Sequence, residues 1–176
     1  MLAGVAAAWT ADAGNVRPAS RRLVVACAAL AALPDADLIL PGAHRTATHS
    51  FTAVFVVFII AASVTGQVTR WRTAAVCAAA YASHLLLDWL GVDRFPPPGI
   101  QLFWPWHDGW YISGWDVFRQ TLRQQLWSPP NIRENLLAIA QEIAILAPIL
   151  LVLWLIRVKA AARFPPQVAG RHHAAE

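Results

Sequence analysis

Twenty-one consecutive residues, Leu136 to Ile156 (LLAIAQEIAILAPILLVLWLI), carry a single ionisable side chain, Glu142. As a helix rising ~1.5 Å per residue, this stretch matches a hydrocarbon layer of ~30 Å. A water-soluble fold would have to bury it on every side. The rest of the chain has little polar surface for that: of its 176 residues, 57% are hydrophobic and 14% charged, against the roughly 25% charged of a soluble domain. The apolar residues also come in blocks rather than stripes. Lipid is therefore the expected solvent.

Three further blocks follow the same logic. Thr73 to Leu90 is long enough to span, Phe51 to Gly66 is slightly short, and Leu23 to Leu33 is a half-span. Leu2 to Trp9 is apolar but too short to cross. The net charge of +4 is concentrated in Arg17/Arg21/Arg22, Arg70/Arg72 and Arg157/Lys159/Arg163. Beside apolar blocks such clusters are topology signals, and nucleic acid is not an expected partner. All three fall on one side if the four blocks alternate in direction. The positive-inside rule makes that side cytoplasmic, so segments 34–50 and 91–134 face outward. The expected fold is an all-α, polytopic membrane protein with about four membrane segments. It forms one helical domain over residues 1–163, with a disordered tail at 164–176. No secretory signal peptide is expected at the start. Cys27 and Cys77, both inside apolar blocks, read as small buried hydrophobes without a disulfide.

The outward segment 91–134 opens with Pro96-Pro97-Pro98, which cannot be helix interior. It then carries Trp104, Trp106, Trp110, Tyr111 and Trp115, residues that favour the headgroup layer. An interfacial loop touching membrane lipids is expected there, with an interfacial helix over Val117 to Trp127.

The ionisable groups are as clustered as the apolar ones. Asp35 and Asp37 close the first block, His44, Arg45 and His49 lead into the second, His84 and Asp88 lie inside the third, and Glu142 lies inside the last. The spacing of four puts His84 and Asp88 on one helix face, one turn apart. His84 lies about 9 Å below Leu90 at ~1.5 Å per residue. A lone Asp at the membrane centre costs roughly 2.5–3.5 kcal/mol on insertion scales, so these groups need compensation. A divalent cation supplies it, because imidazole and carboxylate are both metal ligands. Alternatives stand beside this reading. His84 and Asp88 could pair with each other or with Arg45 as a structural network, and Asp35 and Asp37 could mark a turn. His107 and Asp108 read as a surface loop.

LPDAD, HRTATHS, SHLLLDWL and LFWPW, in this order, resemble the bacterial membrane-bound metal-dependent hydrolase family, the YdjM-like group. The likeness runs from about residue 30 to 106, and it implies an inner-membrane location. The family pattern also carries a Gly-His ahead of a Leu-Ala-Gly-like helix; here no His precedes His44. The ligand pattern is similar to that of zinc-dependent phospholipase C.

The reaction expected is hydrolysis of a phosphoester or lipid-type substrate at the outer membrane face. Asp37, His44, His49, His84 and Asp88 would hold Zn²⁺ or Mn²⁺. Asp35 or Glu142 would act as base or orienting group, and Arg45 as an oxyanion clamp. A metal or proton transporter, or a structural membrane protein with a metal clasp, is the alternative. A pathway requires polar residues to continue across the membrane, and Thr73 to Ala82 offers few. Nothing in the sequence indicates an oligomeric state.

Overall fold

The structure, a computed structural model, describes residues 20–39, 44–122, 125 and 127–163. Within them are four α-helices: α1 (Arg21–Leu30), α2 (Phe51–Val64), α3 (Arg70–Leu90) and α4 (Pro129–Arg163). Two 3₁₀ segments, Leu33–Ile39 and Ala47–His49, lie between α1 and α2. No strand forms among the described residues; two isolated bridges, Gly91 with Phe118 and Ile100 with Tyr111, are the nearest approach to one. The fold is all-helical, as expected. The segments Leu2 to Trp9 and 164–176 lie outside the described residues.

Local chemistry sets the helix ends. Ser20 caps α1, its hydroxyl accepting from the Leu23 amide at 3.2 Å, and Pro34 keeps the chain from continuing as helix. Ser50 caps α2, accepting from the Ala53 amide at 3.2 Å. This satisfies one of the donors that a helix start leaves open. Pro129 and Pro130 open α4, where a missing amide hydrogen costs nothing.

Small side chains bring α3 close to its neighbours. Ala74, Cys77 and Ala80 are buried against α1 and α2, with Cys27, Ala61 and Ala62 opposite. Such residues let backbones approach where lipid gives no hydrophobic drive between helices. Both cysteines are buried free thiols.

Among the described residues two helices, rather than the four expected, are both long and apolar enough to cross a membrane: α3 and residues Pro129–Ile156 of α4. The other two fall short on length. The turn around Pro34 stops α1 after 10 residues, and α2 has only 14. In α4 no residue of the most apolar 18-residue window is buried. Pro148 sits inside that helix, a residue tolerated in membrane helices and costly in soluble ones.

The expected interfacial helix over Val117 to Trp127 is not what forms. Residues 117–122 run extended, because other partners take their backbone groups. The Val117 amide donates to Leu90 O and the Phe118 carbonyl accepts from Val92 N, each at 2.9 Å. On the α4 side, Asn135 bonds both the amide and the carbonyl of Leu122 at 2.7 and 2.9 Å. Gln141 takes the Arg119 amide at 3.0 Å and gives to the Val117 carbonyl at 3.2 Å. Two side-chain amides thus imitate a neighbouring strand. Residues 123, 124 and 126 lie outside the described set.

The aromatic loop covers the start of α2. Leu102 O accepts from the Phe51 amide at 2.9 Å, Arg45 O accepts from the Gln101 amide at 3.0 Å, and Thr52 Oγ1 donates to Trp104 O at 2.5 Å. The loop closes on itself through paired bonds between Ile100 and Tyr111. Gly99 sits there at φ +98°, where a Cβ would lie 2.4 Å from the Tyr111 carbonyl oxygen.

Replacing Ala80, which has no exposed surface, with Leu is expected to cost about 1–3 kcal/mol by overpacking. A lower unfolding temperature in detergent is the expected readout; an unchanged one means the contact between α1 and α3 is loose.

Candidate metal centre

His84 and Asp88 project from α3 toward the end of α1. The Nδ1 of His84 lies 2.9 Å from the Ala31 carbonyl oxygen. A carbonyl can only accept, so Nδ1 carries the hydrogen and the neutral ring turns its Nε2 lone pair the other way. That lone pair faces Asp35 Oδ1 at 3.5 Å and Asp88 Oδ2 at 3.6 Å. Asp35 comes from the 3₁₀ segment that the turn at Pro34 starts.

His49 is held by the same logic from another element. It ends the second 3₁₀ segment, just ahead of the Ser50 cap, and is fully buried. The Thr48 hydroxyl donates to Asp37 Oδ2 at 2.5 Å, leaving its oxygen to accept from His49 Nδ1 at 3.0 Å. Asp37 Oδ2 lies 3.3 Å from the same nitrogen. The Nε2 lone pair of His49 therefore points to Asp88 Oδ2 at 3.2 Å and Asp35 Oδ1 at 4.0 Å. Tyr81, a turn below His84, fixes the segment by donating to Thr48 O at 2.7 Å.

Two imidazole lone pairs thus converge on two carboxylate oxygens, and lone pairs facing anions repel. The Nε2 atoms of His49 and His84 and Oδ2 of Asp88 are buried without a hydrogen-bond partner. Protons on both rings would neutralise the carboxylates. They would also create two cations whose ring centroids are 5.3 Å apart, and at 3.5–3.6 Å His84 is too far from both carboxylates for a good hydrogen bond. A tetrahedral Zn²⁺ with bonds of about 2.0–2.1 Å has donor–donor edges of about 3.3–3.4 Å. The four measured separations, 3.2 to 4.0 Å, bracket that edge. Asp35, His49 and His84 each place a donor atom within 4.8 Å of the other two, and Asp88 touches both histidines. The donor set fits a divalent ion.

Around this group lies a second layer. Asp37 is buried and is bonded by His44 Nδ1 at 2.6 Å and by the Arg45 amide at 3.1 Å, in addition to Thr48. Burial acts to raise its pKa, but the hydrogen bonds from Thr48 and His44 and the nearby histidine charges outweigh it and hold the carboxyl below its ordinary value. Asp35 is also held low. Burial and Asp88 oppose ionisation, and the positive charge that His84 and His49 carry when protonated overcomes them.

Arg45 adopts φ 63°, a left-handed conformation that costs a non-glycine residue about 1–3 kcal/mol. Its guanidinium is paired with Asp93 and lies 3.8 Å from Asp88 Oδ1. Asp93 also accepts the amides of Phe95 and Gly99 at 3.1 and 3.0 Å.

Of the residues singled out from sequence, Asp35, His49, His84 and Asp88 meet at the centre. Asp37 and His44 stand directly behind His49, and Arg45 stands behind Asp88. Glu142 reaches the same place from α4: with Asp35, His84, Asp88 and Thr121 it lines a cavity of about 250 Å³. A smaller one of about 90 Å³ continues past Asp88, Thr121 and Glu142 to Arg45 and Arg119. His107 is apart from all of these, on the exposed loop, accepting from the Gly109 amide at 2.9 Å. Thr48, Tyr81, Asp93 and Thr121 were not singled out. Thr48, Tyr81 and Asp93 had a readable signal, since each lies within five residues of a candidate ligand; Thr121 had none beyond polarity.

The family described as YdjM inner membrane protein matches residues 1–164. Neither the curated proteins nor the solved structures compared with the chain give a match.

Truncating Asp93 to Ala leaves the Arg45 guanidinium buried beside a single, longer-range partner. A loss of about 3–5 kcal/mol is expected, read as a fall in unfolding temperature that Asp93→Asn only partly reproduces.

Proposed function

The chain belongs to the YdjM inner membrane protein family, and on that premise we propose that it is a membrane-embedded, metal-dependent hydrolase acting on a phosphoester. The observation that carries the proposal is the pair of imidazoles, each fixed in the tautomer that turns an unpartnered Nε2 toward the same two carboxylates. Structural polar networks satisfy their members; this one leaves its innermost atoms unsatisfied, as a ligand set does before a cation binds.

Asp35, His49, His84 and Asp88 would hold the ion, Zn²⁺ or Mn²⁺ by ligand type. When bound, such an ion polarises a phosphoryl oxygen and makes water acidic enough to ionise near neutral pH. Asp37, with Thr48 and His44 bonded to it, fixes the His49 ring, as carboxylates behind ligating histidines do. Ala31 does the same for His84. Arg45, read from sequence as an oxyanion clamp, instead holds Asp88 in place with Asp93 behind it. Glu142, facing the ligands across the cavity, takes a proton from the attacking water as its oxygen bonds to phosphorus. The ester P–O bond breaks, and the departing alkoxide receives that proton.

The reading also carries a topology. The helices α3 and α4 cross the membrane, and the shorter α1 and α2 are embedded beside α3. The basic clusters put the centre and the aromatic loop on the outer side. Exposed Trp106 and Trp115 there suit contact with headgroups.

Metal analysis by mass spectrometry of detergent-purified protein tests the proposal. About one equivalent of transition metal is expected in the wild type and a large loss in His49→Ala and His84→Ala. Glu142→Gln should keep the metal and lower phosphoester turnover about 10²–10⁴-fold. Full activity in metal-free wild type would refute the proposal.

A further inference from the structure

We infer that the substrate is a lipid phosphate whose tail lies in the bilayer between α3 and α4, its phosphate reaching the metal cavity sideways. This rests on the hydrolase reading above and adds the class of substrate. The cavity is built from the flanks of helices. The end of α1 supplies Ala31 and Ala32, α3 supplies Ser83 and Leu87, and α4 supplies Glu142. His84 lies six residues inside α3, about 9 Å from the helix end at ~1.5 Å per residue, so the polar pocket sits at acyl-chain depth.

The surfaces leading away from the pocket are apolar and uncovered. Below Ser83 at intervals of four, α3 presents exposed Ala79 and Ala75. We take this strip of small, exposed side chains, on the face turned away from α1 and α2, as the groove for the tail. At four and seven residues beyond Glu142, α4 presents half-buried Leu146 and exposed Ile149. Among the described residues, hydrophobic packing does not join α4 to the bundle there, since no residue of its most apolar window is buried. Its described hydrogen bonds to preceding residues run to segment 117–125. On the other rim, Leu33 and Leu38 are about half exposed. A polar head cavity lined by Asp35, His84, Asp88 and Glu142, with the unpartnered Nε2 of His84 and Oδ2 of Asp88 among its walls, thus continues into an apolar groove. An amphiphile with a phosphate head and a hydrocarbon tail is complementary to both parts, and the inner membrane surrounds the groove with such molecules. A soluble phosphoester would fill only the pocket.

The test uses phosphatidic acid with two tail lengths, dipalmitoyl and dihexanoyl, on metal-loaded protein in one detergent. Native mass spectrometry counts bound lipid, and phosphate release gives kcat/KM. Retention and turnover of the long-chain lipid are expected to exceed those of the short-chain lipid by at least about tenfold, the yield of a few additional buried methylenes. Ala79→Trp, which fills the groove, should abolish that preference. Equal handling of both lipids by wild type, or a preference that survives both Ala79→Trp and Ala75→Trp, would overturn the groove while leaving hydrolysis intact. Long-chain lipid retained by wild type and displaced by Ala79→Trp, with neither lipid hydrolysed, would uphold the groove and count against the hydrolase reading instead. A cross-link joining Ala79 of the groove to another part of the same chain or to a second copy would also overturn it.

Discussion

Everything near the C-terminal ends of α1 and α3 depends on the desolvation of His49. The ring is fully buried and has an anionic group on each side: Asp37 at Nδ1 and Asp88 at Nε2. Neutral imidazole can donate from only one nitrogen, and the Thr48 hydroxyl and Asp37 claim that one. What remains at Nε2 is a lone pair aimed at carboxylate oxygen, an arrangement that is stable only if positive charge enters between them. The two 3₁₀ segments and Arg45 stand around this pocket, whose missing charge the protein itself does not supply.

The chain assembles this pocket from elements that are each marginal alone. The first helix has 10 residues, the second has 14, and the intervening 3₁₀ segments have no core of their own. They are held by bonds that cross between elements: Tyr81 to Thr48, His84 to Ala31, Arg45 to Asp93 and to Gln101. In a low-dielectric surrounding such bonds are strong when complete and costly when broken. A bound cation would therefore tie ligands from three separate elements to one another, coupling metal affinity to the folding of this end of the bundle.

Much of this was legible in the sequence because it is local. Block lengths located the helices, Pro34 marked the close of the first block, and the four-residue spacing of His84 and Asp88 placed both on one face. The alternation of blocks sent LPDAD, HRTATHS and SHLLLD to a common side. What was not legible depends on contacts between distant residues. Two histidines of one motif, His44 and His49, take different layers because one carboxylate, Asp37, lies between them, and no periodicity encodes that. The extended course of residues 117–122 depends on Asn135 and Gln141, more than ten residues away on another element, outcompeting helical hydrogen bonds. The number of spanning helices was overestimated because the blocks at 23–33 and 51–66 were counted as membrane segments although both are short; helices of 10 and 14 residues form there.

The central claim, that Asp35, His49, His84 and Asp88 enclose one cation, is tested most directly by X-ray absorption spectroscopy of the zinc-loaded protein in detergent. A shell of about four N/O donors at roughly 2.0–2.1 Å, with the multiple scattering of two imidazoles and no sulfur, is the predicted spectrum. A shell containing sulfur, or N/O donors with no imidazole signature, would contradict it.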